Sequence, residues 1–526
     1  MKHDVVIVGG GLAGLSAAAY LCKAGLSVAI LEKEQKFGGL VNSFERDGFI
    51  FDGGIRAIEN SGIVTPMLKQ LGIDIDFLSS PVSVGFGKDV LRLASNESLE
   101  DYKMLLIRQF PNDADDIKAI IATIATVMEY MDVLYGIDNP LFLDLKNAPE
   151  YVYKTILPWL LKYILTMPKV GKLQLPVDEY LARFTKNQAL IDMIGQHFFK
   201  KTPTFFALSY FSLYLDYRYP MGGTGSLPAK MLDYIQAHGG EPLAKTEVSL
   251  IDPQRRLVAD TQGNEYEYTM LLWAADSRFL YRNIDIASMP SGRQKARVQA
   301  KAIEVADKKG GDSIFTLYLA LNLDSSYLSD KASPHLFYTP VIKGLSSLGP
   351  IPSMYTDKES IKTWIRSYLE LTTYEISCPA LRDPSLAPAG KTGLIVSTLM
   401  DYGIVKGVSD AGWYDNFKDL CSDIIVEVLQ NSIYPGLASA ILDKFSSTPL
   451  TIEKTTGNSD GAITGWAFTN PSIPAIHDLP KVAQSVRTPI PGVYQAGQWS
   501  FSPSGLPISI LTGKLAADAI IKQLKR

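Results

Sequence analysis

An α/β fold is predicted: a Rossmann-like dinucleotide-binding domain with an inserted mixed-sheet substrate domain and a helical lid. Three observations predict it. The chain opens on D-V-V-I-V-G-G-G-L-A-G over residues 4–14, a β-branched run suited to a strand buried on both faces, followed at once by G-x-G-x-x-G. A second apolar run, residues 27–31, ends at Glu32, near the spacing of about 20 residues at which a carboxylate takes a ribose hydroxyl. The chain closes on a short buried-type strand, residues 493–496, then a glycine and a long apolar helix. Both ends therefore build one ligand site, with the rest of the chain inserted between them.

Gly9 permits the tight turn, Gly11 lets the backbone approach a pyrophosphate, and Gly14 lets the helix at 15–23 pack on the strand. The pyrophosphate sits at the positive end of that helix. After Glu32 the run E-K-E-Q-K-F-G-G puts Gly38 and Gly39 just beyond the second strand. It resembles the extended signature of flavoproteins with two dinucleotide-binding domains and points to FAD rather than NAD. Asp47-Gly48 is a hairpin signal between two short apolar strands. Asp52-Gly53-Gly54 is then expected to bring bare backbone near a ligand, the flavin.

At 526 residues the chain is long enough for two interleaved domains. A net charge of −4 offers no basic footprint, so nucleic acid is not expected as a partner. Three scattered cysteines and five scattered histidines form no metal spacing and no disulfide framework. No metal is expected, and Cys22 reads as a core residue. The first strand begins at residue 4 without a signal peptide, and no stretch holds about 18 uninterrupted apolar residues. The expectation is a cytoplasmic protein, peripheral on the membrane at most.

Five segments are expected: residues 1–95, the first part of the nucleotide domain; 96–215, a helical lid; 216–285, its second part; 286–450, the substrate domain; and 451–526, the C-terminal part of the nucleotide domain. Helices are predicted at 63–71, 98–110 and 113–135, the last capped by Asn112. Residues 151–167, Y-V-Y-K-T-I-L-P-W-L-L-K-Y-I-L-T-M, are aromatic and aliphatic, with Lys154 and Lys162 spaced to snorkel and Pro158 breaking or kinking the run. A buried helix pair capping a substrate cavity is the preferred reading, over a patch dipping into a bilayer. Residues 198–219, dense in Phe and Tyr, line an apolar tunnel or fill a core. Strands follow at 247–251, 257–260, 268–274, 313–323 and 393–400, and a helix at 412–429. Residues 449–466 read as turn-rich. The Ser504-Gly505-Leu506-Pro507 turn opens the final helix, whose first amides face the flavin.

These end motifs, with Y-P-M-G-G at 219–223 and P-L-T-I-E-K-T-T-G-N-S-D-G-A-I-T-G-W at 449–466, resemble the phytoene desaturase and carotenoid isomerase group of flavoproteins. Retinol saturases and the wider amine-oxidase superfamily are more distant. The resemblance implies FAD and a long apolar substrate against it. It implies that Gly9, Gly11, Leu12, Ala13 and Gly14 hold the pyrophosphate and Glu32 the adenosine ribose. Lys33, Gly39 and Leu40 would border ribose and flavin, and Val248 would meet the adenine. Gly497, Gln498, Leu506, Pro507 and Ile508 would hold the ribityl chain and ring. Two positions depart from the pattern: Gln498 stands where many relatives have an acid, and Gly53-Gly54-Ile55-Arg56 replaces the usual G-P or G-S. An arginine there can hold an anionic head group, or pair with Glu59.

The expected function is an FAD-dependent oxidoreductase acting on C–C bonds, by desaturation or saturation, of a carotenoid, retinoid or other lipid. The alternatives are a non-redox flavin isomerase of a polyene or fatty acid, an amine oxidase, and a non-catalytic lipid escort of the same fold. Arg56, Glu59 and Tyr219 are the catalytic candidates; no His–carboxylate pair emerges. The expected partners are an apolar small molecule, a peripheral membrane contact, and a quinone or other electron acceptor.

Overall fold

The computed structural model describes residues 2–145, 147 and 149–525. The opening strand Lys2–Val8 lies inside a seven-stranded sheet ordered Glu241–Leu243, Val28–Leu31, Lys2–Val8, Glu265–Trp273, Leu257–Asp260, Val248–Asp252, with Val493–Gln495 also paired to Glu265–Trp273. Lys2–Val8 is parallel to both its neighbours. Both faces are covered, which is why the strand is continuously apolar rather than alternating. Val5 and Ile7 pack with the helices Leu12–Lys23, Ser226–Ala237 and Leu506–Leu524. Val6 and Val8 pack with Trp273, Val298, Trp466 and Trp499 on the other face. The first and last helices touch through backbone: a Cβ on Gly513 would lie 2.4 Å from the Ala13 carbonyl oxygen.

A second seven-stranded sheet runs Ile441–Ser447, Ser313–Leu321, Thr392–Met400, Tyr374–Ser377, His335–Thr339, Val82–Phe86, Asp89–Leu93. One face packs on the helices Lys358–Leu371 and Tyr414–Asn431. Two expected boundaries move. Val82–Phe86 and Asp89–Leu93, placed by sequence in the nucleotide domain, belong to this second sheet, because Val82–Phe86 pairs in parallel with His335–Thr339. Helix Arg293–Ala306, beyond residue 285, buries Val298 and Val305 in the nucleotide-domain core. Such pairings join residues more than 200 apart and leave no local signal.

The hairpin at Asp47-Gly48 forms as expected, with φ of 52° and 81° at the two turn residues, the primed turn that suits strand twist. Elsewhere local expectations are corrected. Asn112 does not cap the long lid helix: residues Pro111–Asp113 form a single tight turn, and the Asp113 side chain accepts from Thr185 and Asn187 instead. Helix Pro449–Thr456 replaces the expected turns, nucleated by a Thr448–Thr451 capping box with proline in the first turn. Pro158 does not break its segment: a wide helical turn at Val152–Ile156 leads straight into helix Leu157–Val170, and that turn accommodates the missing N–H. That helix is not a buried cap: of its residues only Thr166 and Val170 are buried.

Among the described residues, one helix region, 111–142, is long and apolar enough to cross a membrane by length and composition. Its buried residues Ile117, Ile120, Ile121, Ile124, Val127, Met128 and Met131 follow helical spacing and enter the core of the lid or its surroundings.

Candidate functional site

The nucleotide cradle is built from backbone. A Cβ on Gly9 would lie 2.8 Å from the Ala274 carbonyl oxygen and one on Gly14 2.0 Å from that of Gly9, so both are glycines for packing. A Cβ on Gly11 would meet nothing within 4 Å. Gly11 thus faces open space at the start of helix Leu12–Lys23, which has no side-chain cap on its first amides. Glu32 organises the loop: its carboxylate accepts from the Gly10 N–H at 2.7 Å and the Glu34 N–H at 2.9 Å. Burial raises its affinity for the proton and those amides offset part of that rise. Gly39 stands 3.4 Å, measured from an added Cβ, from Gly11 Cα.

Opposite lies the C-terminal segment. Gly497, at φ 90°, approaches Ala13, and its N–H donates to Thr512. Helix Leu506–Leu524, with Pro507 in its first turn, also begins without a side-chain cap. Nearby Ser502 and Ser504 carry buried hydroxyls with no partner among the described residues. Open space at Gly11, two uncapped helix starts and orphaned hydroxyls fit a dinucleotide with a polar ring system. Leu12, Ala13, Leu506 and Ile508 are buried in the helices that flank this space. The Gln498 backbone packs against Gly465, whose added Cβ would meet its carbonyl oxygen at 2.2 Å. Val248 opens its strand beside Glu32, since Thr246 N–H donates to the Glu32 carbonyl; the Val248 carbonyl accepts from Asn283. Lys33 and Leu40, expected at the border of ribose and flavin, also make contacts within the chain. Lys33 Nζ donates to the Lys454 carbonyl, at the end of helix Pro449–Thr456. The Leu40 carbonyl accepts from Ile55 and lies where a Gly54 Cβ would stand, so Gly54 is glycine for that crossing rather than for ligand approach.

Beside the cradle, Asp52 is fully buried and accepts from Ser43, from the N–H and hydroxyl of Thr224, and from Tyr219. Tyr219 is also fully buried, with Arg382 over its ring. Its hydroxyl is therefore engaged by Asp52, and it serves the scaffold rather than an open cavity. Arg56 makes no ion pair with Glu59. Nη1 donates to the carbonyls of Asp52 and Gly54, and Nη2 to Ser397 Oγ at 3.0 Å. It clamps the flavin-side loop to the second sheet, and its buried Nε has no partner among the described residues. Glu59 pairs with Tyr217 across a short antiparallel ladder and reaches the start of the last helix, 3.5 Å from an added Gly505 Cβ. Burial, with the Asp216 charge beside it, pushes its carboxyl up to about 7.

The sequence reading missed a His–carboxylate pair. His335 Nε2 and Glu375 Oε1 are 3.0 Å apart on adjacent strands of the second sheet. Their registers place Thr316, Ser397, Glu375 and Phe337 in one row, and Tyr318, Ile395, Ser377 and His335 in the next, on the face away from the helix-packed core. Burial holds His335 below the ordinary histidine range despite the carboxylate. Burial raises Glu375, but the His335 hydrogen bond and the charges of Arg56 and Arg382 bring it below its ordinary range. A neutral imidazole thus donates to an ionised carboxylate, and Nδ1 is left as an acceptor with no partner among the described residues. Two residues 40 positions apart, in no motif, offered no sequence signal.

Phe337, in the row of Glu375, also walls an aromatic cavity of about 50 Å³ between this sheet and the lid, with Phe198, Tyr210, Phe211 and Tyr214. Phe198 is shared with a larger cleft of about 620 Å³ that runs past Gln196 and Trp364. The Phe- and Tyr-rich stretch 198–219 therefore lines cavity as well as core.

Residues 7–71 match the model of the NAD(P)-binding Rossmann-like domain. The chain is 22% identical to a chloroplastic prolycopene isomerase of Daucus carota, over 99% of its own length and 80% of that protein's. It is 22% identical to a 4,4'-diapophytoene desaturase of Staphylococcus aureus, over 99% of both chains. An inactive all-trans-retinol 13,14-reductase of Danio rerio is 25% identical, over 50% of this chain and 43% of that protein. Among solved structures, a putrescine oxidase superposes with a TM-score of 0.59 at 13% identity over 99% of both chains. Cyclohexylamine oxidase from Brevibacterium oxydans does so with 0.57 at 14% over the whole of both. The chain is thus similar from end to end to the carotenoid desaturases and isomerases, and its fold is that of the flavin-dependent amine oxidases.

Proposed function

We propose that the protein binds FAD and acts on a C–C bond of a long apolar substrate, a carotenoid, retinoid or other lipid. One observation carries this reading: an aromatic-walled cavity and a cleft of about 620 Å³ meet at Phe198, and Phe337 of the cavity wall is the register partner of Glu375. That volume falls in the range of small-molecule sites. FAD held by Glu32, Gly11 and the two helix starts supplies an acceptor and donor of electron pairs. The chain's own residues do the rest. Phe198, Tyr214 and Phe337 exclude water and align an extended substrate. His335, oriented by Glu375 and with Nδ1 left unpartnered, is the group of the chain that would hold or return a proton. Arg56 holds the loop 52–56 against the sheet on which the pair stands.

A second reading, isomerisation without net redox change, is favoured by the full-length similarity to prolycopene isomerases. One experiment separates the two. The purified protein is examined by absorption spectroscopy, then incubated anaerobically with a panel of polyenes and extracted for chromatography. A flavin spectrum that bleaches as a more unsaturated product forms establishes desaturation. A geometric isomer formed only after pre-reduction, with the flavin unchanged, establishes isomerisation. No flavin after reconstitution with FAD overturns both.

A further inference from the structure

The aromatic cavity between the lid and the second sheet holds polar groups that a hydrocarbon does not need. Its wall carries no Lys, Arg, Asp or Glu, yet it includes Thr339, Thr373, His197 and Tyr214. Thr339 lies on strand His335–Thr339 and shares one face of it with Phe337 and His335, at alternate positions. Thr339 is 1% exposed and Thr373 7%. Their hydroxyl oxygens are 2.7 Å apart.

The hydrogens on this pair do not balance. Two hydroxyls carry two hydrogens, and one lies in the mutual bond. Gln196 does not accept the other. Its Oε1 accepts from the Leu345 N–H at 3.0 Å and its Nε2 donates to the Leu371 carbonyl at 3.0 Å, which fixes the sense of the amide. Nε2 is therefore the donor to Thr373 Oγ1, at 2.9 Å. One hydroxyl hydrogen of the pair is left with no acceptor among the described residues. A buried hydroxyl in that state is costly unless a ligand meets it. His197 and Tyr214 line the same cavity, with Nε2 and the tyrosine oxygen 3.1 Å apart. Burial pushes the His197 imidazole down to about 4, so it is neutral. Glu375, the register partner of Phe337, is an ionised carboxylate. The cavity thus offers a hydroxyl donor to an oxygen acceptor and lacks a cation to hold an anion.

We propose that Thr339 and Thr373 read a neutral oxygen, a hydroxyl or carbonyl, at the end of the apolar molecule that fills this cavity, and so select an oxygenated chain over a plain hydrocarbon. This selection rests on the cavity being the place of the substrate proposed above. His335 and Thr339 stand four residues apart on one strand, about 13 Å at about 3.3 Å per residue. The end group lies that far from the His335–Glu375 pair, so the oxygen sets which carbons of the chain stand beside it.

The test is equilibrium binding to the purified full chain, after reconstitution with FAD, of retinol, retinoic acid and their parent hydrocarbon axerophthene. These probes share one polyene chain and differ at its end. Titrations are followed by quenching of tryptophan fluorescence. The wild type is expected to bind retinol about tenfold more tightly than axerophthene, and more tightly than retinoic acid at neutral pH. Thr339→Val with Thr373→Val is expected to bring retinol and axerophthene to within about twofold of each other while the affinity for axerophthene holds. Thr339→Ser with Thr373→Ser keeps both hydroxyls and is expected to keep the preference. Wild type that binds axerophthene as tightly as retinol overturns the selection and leaves the cavity a site for apolar chains. So does a valine variant with the wild-type preference, or retinoic acid bound tightest of the three. A chain that binds none of the probes overturns the selection together with the reading of the cavity as a substrate site.

Discussion

Tyr219 donates its hydroxyl hydrogen to Asp52 Oδ2 at 2.7 Å, and that bond joins the strand entering the flavin-side loop to the segment that returns from the lid. Asp52 is the acceptor for four donors, none replaceable by water because the carboxylate is fully buried. Tyr219→Phe removes one of the four and is expected to cost about 1–2 kcal/mol in denaturant unfolding, with flavin content preserved. Asp52→Ala orphans every donor at once and is expected to cost about 3 kcal/mol or more. Equal losses for the two would show that the cluster is not buried as described.

Gly11 and Gly14 separate ligand from packing. Gly14→Ala places a methyl 2.0 Å from the Gly9 carbonyl oxygen and is expected to destabilise the apoprotein itself. Gly11→Ala meets open space at an ordinary φ of −72°. It is expected to leave apoprotein melting unchanged while flavin retained through gel filtration falls at least about tenfold. Thermal unfolding and the ratio of flavin to protein absorbance check both.

The Glu59 carboxyl, pushed up to about 7 by burial, links stability to pH. A carboxyl raised in the folded state holds its proton more tightly folded than unfolded. Its contribution is complete below about pH 4.5 and is lost as pH rises through about 7. Glu59→Gln is expected to flatten that slope, so that the variant matches wild type near pH 4.5 and melts higher than wild type above about pH 7. A parallel loss in both proteins across this window would place the linkage elsewhere.

The His335–Glu375 pair is expected to govern proton movement. Glu375→Gln keeps the shape but removes the charge that orients the imidazole. It is expected to lower turnover about 10²-fold or more with flavin content unchanged. His335→Gln is expected to fall further and to abolish the acid limb of the pH profile. Turnover unaffected by either substitution would leave the pair a structural feature of the sheet.

Both ends of the chain were legible because their physics is local. A buried parallel strand, glycines at fixed offsets and a carboxylate after the second strand are required by backbone approaching a dinucleotide, and the full-length similarity agrees with that reading. The Asp47-Gly48 hairpin was legible for the same reason. What the sequence did not determine alone is what pairs at long range. Arg56 could as well have met Glu59, three residues on, as Ser397, 341 residues away; the second sheet decided for Ser397. His335 and Glu375 became a pair through strand register. The apolar run 151–167 has the composition of a core helix, and only tertiary packing decided that its leucine stripe faces outward, because helical periodicity gives the spacing of a face and not what lies against it.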